Sequence, residues 1–161
     1  MHSWPANCLS SVTLSLPPDL PLPPLGADDP LGRGVFSSRQ AKRWRTGRRE
    51  RDSFLGGEDE PSLSVDRLGL APDAVMTGIA DAIAAGRGPG RAFYGWAVLT
   101  VRNASANGRS VRASPLSANP CHADIDLNVR AEVERRDAQK QHADDLAARA
   151  HWKDRPAAAC P

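Results

Sequence analysis

Three side chains that can bind a divalent cation alternate along the stretch Cys-His-Ala-Asp-Ile-Asp-Leu. His122, Asp124 and Asp126 occupy every second position, so a β-strand would place one imidazole and two carboxylates on the same face. Such a set suits a metal ion, and with Asp66 or His142 as a further ligand it would support hydrolysis of a phosphodiester. The alternative is an ordinary solvent-facing strand surface, because the same alternation produces it and its charge discourages edge pairing.

Other catalytic and cofactor patterns are weaker. A zinc site would have to gather Cys121, His122, His142 and Cys160, and adjacent residues of a strand point to opposite faces. A serine hydrolase is not indicated because the chain has no G-x-S-x-G. The glycine-rich segment Gly86–Gly90 lacks both nucleotide-binding fingerprints. We therefore assign no catalytic residue, expect no cofactor, and interpret Cys121 as a buried, inert thiol.

A basic run is the second candidate site. It contains seven cations with one tryptophan among them: Arg39, Lys42, Arg43, Trp44, Arg45, Arg48, Arg49 and Arg51. Arginine and lysine contact phosphates, and an exposed indole can stack on a base, so this run could bind nucleic acid. The alternative is a solvated charged linker, since the acidic residues at 58–60 could neutralise the run within the molecule.

Alternating and apolar patterns predict the strands that would carry these residues. In the run Phe93–Val101, apolar residues occupy both the odd and the even positions, which indicates a strand covered on both faces. Ser62–Arg67 alternates, with Leu63 and Val65 facing inward. A short strand is expected at Ser110–Ala113, and the 121–127 stretch predicts another with Cys121, Ala123, Ile125 and Leu127 inside.

Helical periodicity predicts two helices. The first begins at Pro72 and ends near Gly86, with an apolar stripe of Val75, Ile79 and Ile83 that is widened by Met76, Ala80 and Ala82. The second covers roughly residues 130–151, with Ala143, Leu146, Ala147 and Ala150 facing the core and Trp152 at its end.

These elements predict an α+β fold with a small, mainly antiparallel sheet of three to four strands and two helices on one face. Prolines dominate the first third of the chain and remove backbone donors. We therefore divide the chain into a disordered arm at 1–51, proline-rich and then arginine-rich, a single domain at 52–153 and a tail at 154–161. Translation could also begin near Val35 instead of Met1.

Composition limits the functional classes. The chain has 161 residues and a formal net charge of +2, which does not by itself indicate a polyanion partner. Three widely spaced cysteines without a CxxC favour free thiols in the cytoplasm over a disulfide framework. No apolar run is long enough for a transmembrane helix, so we expect no membrane partner. Arginine-rich, alanine-rich composition is typical of a GC-rich bacterial genome.

The order of short motifs resembles a loose group of small uncharacterised bacterial α/β proteins. The shared features are a Leu-Ser-Val strand, a hydrophobic strand, a His-Ala-x-Ile strand and a closing helix that ends in an aromatic residue. Here they correspond to Ser62–Arg67, Phe93–Val101, His122–Ile125 and the segment from His142 to Trp152. The resemblance spans about residues 51–152. It implies a compact α/β unit and brings no activity with it.

The sequence therefore favours a non-catalytic module that binds or regulates an unknown protein partner. Nucleic-acid binding through the basic run is the first alternative, and a metal-dependent nuclease or phosphodiesterase at His122, Asp124 and Asp126 is the second. The position of the acidic strand face separates them. A pocket shared with Asp66 or His142 would favour an enzyme, and open solvent would not.

Overall fold

Six antiparallel strands form one sheet in the computed structural model, which describes residues 22–129 and 134–157. The strands follow the spatial order β4-β5-β2-β1-β3-β6. Their bounds are β1 Pro30–Val35, β2 Ser62–Arg67, β3 Gly95–Thr100, β4 Ser110–Ala113, β5 His122–Asp126 and β6 His151–Asp154. The helices are α1 Ser38–Arg45, α2 Asp73–Gly86, α3 Val101–Ala104 and α4 Arg135–Arg149, with a 3₁₀ helix at Arg51–Phe54.

The α+β class and the antiparallel sheet are confirmed, but the sheet is larger than predicted. Four strands coincide with predicted ones, namely β2, β3, β4 and β5. The two additional strands are β1, which lies between β2 and β3, and β6, which pairs with β3 at one edge. Helices also cover both faces instead of one, because α1 and α4 pack in one apolar cluster and α2 packs in another.

The segment Pro30–Arg45 is part of the folded core, although the sequence analysis placed it in the arm. Leu31 and Val35 of β1 are buried, and so are Ala41 and Trp44 of α1. The β1 residues pair with β3 at six positions and with β2 at Leu31 and Gly32. The folded unit therefore begins well before residue 52. Residues 1–21 lie outside the described part of the chain, and disorder there stays a prediction.

Side chains alternate along β3, so this one strand contributes to the apolar clusters on both faces of the sheet. Ala97 and Leu99 of β3 face the α1 and α4 side, whereas Trp96 and Val98 face α2. The strand is therefore covered on both faces, as predicted. Ile125, Leu127 and Leu146 are buried as well, which confirms the predicted inward face of β5 and of the closing helix.

The buried row of α2 includes Met76 and Ala80, which the prediction placed at the margin of the apolar stripe instead of its centre. Met76, Ala80 and Ala84 are the buried residues, whereas Ile83 is 36% exposed. The i, i+4, i+8 spacing is as expected, but a neighbouring row of the helix meets the sheet. Small alanines allow α2 to approach the large Trp96 and Phe93 side chains, which fill the same cluster.

At the centre of the sheet, the backbone of Gly32 lies very close to the indole of Trp96. A Cβ atom at Gly32 would lie 2.7 Å from Trp96 Cδ1 and 2.9 Å from Leu68 Cδ1. Real Cβ atoms do not come this close, so the Trp96 ring occupies the space that a side chain at position 32 would need. Glycine at this position lets the largest buried side chain of the structure lie directly on β1.

Alanine substitutions at two glycines should therefore have opposite effects. Gly32→Ala overpacks a filled core and should lower the free energy of unfolding by about 1–3 kcal/mol. Gly78→Ala lies on α2 with no atom within 4 Å of the new methyl, so it should raise that free energy by about 1 kcal/mol through helix propensity. Urea unfolding of both variants measures the difference, and a neutral Gly32→Ala would show that β1 and Trp96 are not in contact.

Candidate functional site

The basic run forms one surface feature, because α1 and the residues just after it bring four of its cations together. An open pocket of about 480 Å³, here called the α1 pocket, is lined by Arg39, Lys42, Arg43, Thr46 and Arg48. Helix α1 starts at the N-cap Ser37, whose hydroxyl accepts a hydrogen bond from Gln40 N. Its buried stripe holds Ala41 and Trp44, so the remaining, charged positions necessarily face outward.

Trp44 is not available to stack on a base, which corrects the role suggested for it from the sequence. The side chain is 6% exposed, and its Nε1 donates to Ser53 Oγ at 3.0 Å. Its ring stacks on Trp152 with the centroids 6.4 Å apart. Trp44 therefore anchors α1 to the 3₁₀ helix and to β6, and the basic surface carries cations without an aromatic platform.

Carboxylates neutralise part of the basic run. Arg43 pairs with the buried Glu50, Arg45 with Asp154, and Arg51 with Asp52 and Asp144. Arg39 lies 4.0 Å from Asp52, a loose contact between exposed groups that contributes little. Within residues 22–129 and 134–157, no carboxylate lies within 4 Å of Lys42, Arg48 or Arg49. The run therefore keeps excess positive charge, concentrated at the α1 pocket.

The second candidate site lies on the opposite side of the sheet. His122 and Asp124 alternate with Ala123 and Ile125, which belong to the core beneath α1 and α4. Strand pairing places Asp66 of β2 beside His122, and Ser64 beside Asp124. With Ser114 and Asn119 from the β4–β5 connection, these residues form what we call the sheet-face cluster: Asp66, Ser114, Asn119, His122 and Asp124.

Hydrogen bonds fix the ring of His122. Its Nδ1 lies 2.8 Å from the Ser114 carbonyl oxygen, which can only accept, so Nδ1 carries the hydrogen. Ser114 Oγ lies 2.8 Å from the same nitrogen and donates to Asp124 Oδ2 at 2.7 Å. The other ring nitrogen, Nε2, is 3.8 Å from Asp124 Oδ1.

This arrangement is not that of a serine hydrolase, although it joins a serine, a histidine and an aspartate. In such an enzyme the imidazole accepts the serine proton. Here Nδ1 donates to the Ser114 carbonyl and the hydroxyl donates to Asp124, so the histidine cannot activate Ser114.

Asp66 is a buried carboxyl group. Its side chain accepts a hydrogen bond from Asn119 Nδ2 at 2.7 Å, and the residue is 7% exposed. Burial raises the pKa of Asp66 above the usual carboxyl range, although Asn119 and the positive charges of His122 and Arg33 oppose the rise. The neutral acid is therefore favoured more strongly here than at the protein surface.

Arg33 places a guanidinium between β1 and β2 where these strands separate. Its Nε donates to the Ser53 carbonyl at 3.1 Å and its Nη1 to the Ser64 carbonyl at 2.7 Å. Burial and the nearby charge of Arg87 lower the pKa of Arg33, whereas Glu60 and Asp66 raise it. By the register of β1, Arg33 faces the α1 and α4 side together with Leu31 and Val35. The sequence analysis missed Ser114 and Asn119, because only tertiary pairing brings them to the cluster.

The predicted metal site is assembled only in part. Asp126 is exposed, and its Oδ1 accepts a hydrogen bond from Asn128 N at 2.8 Å. In the part of the chain that the structure describes, no three histidine, cysteine, aspartate or glutamate side chains are grouped as a metal would require. Of the two extra ligands considered, Asp66 does lie beside His122. Metal binding stays a prediction, since His122 and Asp124 lie together in the cluster and Asp126 does not.

His142 lies elsewhere, in a structural network on α4. Arg109 is buried, its Nη2 donates to Asp145 Oδ2 at 2.6 Å, and its Nη1 lies 3.0 Å from His142 Nδ1. Burial and the charge of Arg109 lower the pKa of His142. Burial by itself would raise the pKa of Asp145. Hydrogen bonds from Arg109 and Arg149 outweigh this and lower the pKa of that carboxyl. This network joins α4 to the start of β4 and is distant from the sheet-face cluster in the fold.

Comparison with known proteins gave no match to any family model, curated protein or solved structure. Among the described helices, none is both long and apolar enough to cross a membrane. Cys121 is buried and unpaired, and burial, with the charge of Asp66, raises the pKa of its thiol. This agrees with the inert thiol that the sequence predicts.

The raised pKa of Asp66 makes a prediction about stability. Because the folded state favours the neutral acid, the contribution of Asp66 to folding is most favourable at acid pH and falls as pH rises through its pKa. Asp66→Asn keeps the oxygen that accepts from Asn119 and removes the ionisation. The variant should therefore gain stability relative to the wild type as pH rises from below to above the ordinary carboxyl value of 3.8.

Urea unfolding of both proteins across this pH range measures the difference. If the variant instead lost stability relative to the wild type as pH rose, the folded protein would be favouring the ionised carboxylate, and the assignment of Asp66 as a buried acid would be wrong.

Proposed function

We propose that the protein is a binding module whose α1 pocket recognises the phosphate backbone of nucleic acid. One observation carries the proposal: four of the eight residues that the sequence identified as a basic run line a single open pocket. Phosphates are bound by clustered Lys and Arg side chains, and the local excess of positive charge increases the rate of encounter with a polyanion.

The ion-pair pattern supports the same site. Arg43 is positioned by the buried Glu50 carboxylate, which holds its guanidinium at the pocket wall. Lys42 and Arg48 supply charge that no carboxylate of the described residues neutralises within 4 Å. A pocket with one fixed guanidinium and two unneutralised cations can accept the oxygens of one or more phosphates.

Recognition at this site would be independent of base sequence. Contacts to phosphate carry no sequence information, and the only aromatic residue of the run, Trp44, is buried. We therefore expect weak discrimination among sequences and a strong dependence on salt concentration. A cytoplasmic location, expected from the cysteine pattern, fits such a partner and belongs to the same proposal.

A protein partner, which the sequence analysis preferred, has less support. Protein interfaces usually contain apolar or aromatic anchors at their centre. Within the described ranges, the exposed large hydrophobic residues are Ile83 and Leu116, one on α2 and one in the β4–β5 connection. A protein that bound the α1 pocket would have to be acidic, and the experiment below separates it from nucleic acid.

The test removes two cations from the α1 pocket. Lys42→Gln combined with Arg48→Gln should weaken binding of a fluorescent duplex DNA. It should also reduce the magnitude of the slope of log K against log salt by about 1.8, because about 0.9 is lost per phosphate contact. Fluorescence anisotropy between low and moderate salt measures both quantities.

The control removes the same charge from elsewhere. Arg91→Gln combined with Arg102→Gln changes two exposed arginines outside α1 and should leave the slope nearly unchanged. Equal losses in both double variants would mean that net charge alone drives binding. No binding of duplex or single-stranded DNA or RNA by the wild type at low salt would refute the proposal, and an acidic protein would then be the remaining partner class.

A further inference from the structure

Several cations of the described residues lie over aromatic rings. The four pairs are Arg45 over Trp152 at 5.9 Å, Arg87 over Phe36 at 4.4 Å, Lys153 over Trp96 at 5.6 Å and Arg155 over Phe93 at 6.0 Å from the ring centroid. The negative face of a ring attracts a cation and so restricts its position. The guanidinium of Arg87 is the closest of the four to its ring.

Carboxylates neutralise three of these four cations. The ion pairs are Arg45 with Asp154, Lys153 with Asp73 and Arg155 with Asp81. Arg87 differs, because no carboxylate of the residues that the structure describes lies within 4 Å of its guanidinium. The residue is also exposed to solvent. Arg87 is therefore held in place by a ring, while its charge and its outer side stay open to a ligand.

The ring of Phe36 is a fixed support for this guanidinium. It is half-buried against the apolar cluster beneath α2, and its centroid lies 5.9 Å from that of Phe93. A Cβ atom at Gly34 would lie 3.0 Å from Phe36 Cζ, so the ring also packs on the backbone of β1. Arg87 itself is the C-cap of α2, and its backbone N–H donates to the carbonyls of the last turn. Both partners are therefore anchored by the fold before any ligand arrives.

The Phe36–Arg87 pair lies beside one end of the α1 pocket. Phe36 directly precedes Ser37, the N-cap of α1, and Arg39 in the first turn of that helix lines the pocket. Three residues of chain can span at most about 11 Å, which limits the distance between the backbones of Phe36 and Arg39. One strand of nucleic acid can therefore contact the pocket with its phosphates and the Phe36–Arg87 pair with a base.

A supported guanidinium is suited to stacking on a base. The group is planar and weakly hydrated, and it stacks on π systems, whereas the ammonium of lysine is a compact and strongly hydrated point charge. Unpaired bases of single strands stack on aromatic rings and on the planes of arginine guanidinium groups. Within a duplex, neighbouring base pairs already cover both faces of each base. The Phe36–Arg87 pair therefore favours a single strand over a duplex.

We infer that Arg87, supported by Phe36, stacks on an unpaired base of a single-stranded nucleic acid whose phosphates occupy the α1 pocket. The inference rests on the proposed function and names its substrate class. Arg87 supplies the stacking surface that Trp44 cannot, because Trp44 is buried. Every base has a π face, so stacking tolerates all four bases. This agrees with weak discrimination among sequences.

The test compares two fluorescent single strands of equal length, a thymidine oligonucleotide and an abasic oligonucleotide with the same number of phosphates. Fluorescence anisotropy measures the affinity of the full chain for each strand. The wild type should bind the thymidine strand about 5-fold or more tightly than the abasic strand, because one stacked base contributes at least that much. The dependence of affinity on salt should be the same for both strands, since the phosphates are the same.

Three variants locate the preference. Arg87→Lys keeps the positive charge and removes the planar group, so it should abolish the preference for the thymidine strand and leave the affinity for the abasic strand unchanged. Phe36→Leu keeps an apolar side chain on the cluster and removes the supporting ring, so it should also reduce the preference. Arg155→Lys is the matched control, because that guanidinium also lies over a ring but is paired with Asp81. It should keep the wild-type preference.

The outcomes separate this inference from the binding proposal. Equal affinities of the wild type for the two strands would overturn the inference and leave salt-dependent binding at α1 intact. An undiminished preference in Arg87→Lys would also overturn it, and near-ultraviolet circular dichroism establishes that the variants are folded. The Lys42→Gln and Arg48→Gln double variant should weaken binding of both strands by the same factor. No binding of either strand by the wild type at low salt would overturn both proposals.

Discussion

The contact between the Gly32 backbone and the Trp96 indole determines the arrangement of the sheet. Trp96 is fully buried, and it can lie against β1 only because position 32 has no side chain. The contact keeps β1 between β2 and β3 and brings α2 down onto one face. Strand β3 contributes to both apolar clusters, so a change at this contact would disturb the packing on both faces of the sheet.

Arg33, the next residue, links β1 to the 3₁₀ helix and to β2. β1 and β2 pair at only two positions before they separate, and the Arg33 guanidinium spans the gap to the Ser53 and Ser64 carbonyls. Ser53 also accepts from Trp44 of α1, whereas Ser64 pairs with Asp124 of the cluster. The same short stretch of β1 therefore supports the basic surface on one face and the polar cluster on the other.

Periodicity alone predicted the elements whose faces differ in polarity. Strands β2 and β5 alternate clearly, so their bounds and the common face of His122 and Asp124 followed from the sequence. Strand β1 has the sequence Pro-Leu-Gly-Arg-Gly-Val, and its glycines reflect contact with Trp96 and Phe36 instead of a turn. A pattern rule cannot detect the contact at Gly32, because Trp96 is distant from it in sequence.

Helix α1 and the cluster partners were missed for related reasons. Only Ala41 and Trp44 of α1 are buried, and its charges are balanced by carboxylates as far along the chain as Asp154. Local composition therefore resembled a linker. Ser114 and Asn119 belong to an irregular connection, and their bonds to His122 and Asp66 depend on the β2–β5 register. Such contacts follow from tertiary structure and leave no local signal.

Native-state hydrogen exchange tests most directly whether β1 is integral to the fold. As a strand paired on both sides, β1 should open only with the global unfolding of the domain. The amides at 31–35 should therefore exchange as slowly as those of β3 at 96–100, which pair with them. Rapid exchange at 31–35 beside slow exchange at 96–100 would contradict the account, because β1 and α1 would then be a loosely attached arm.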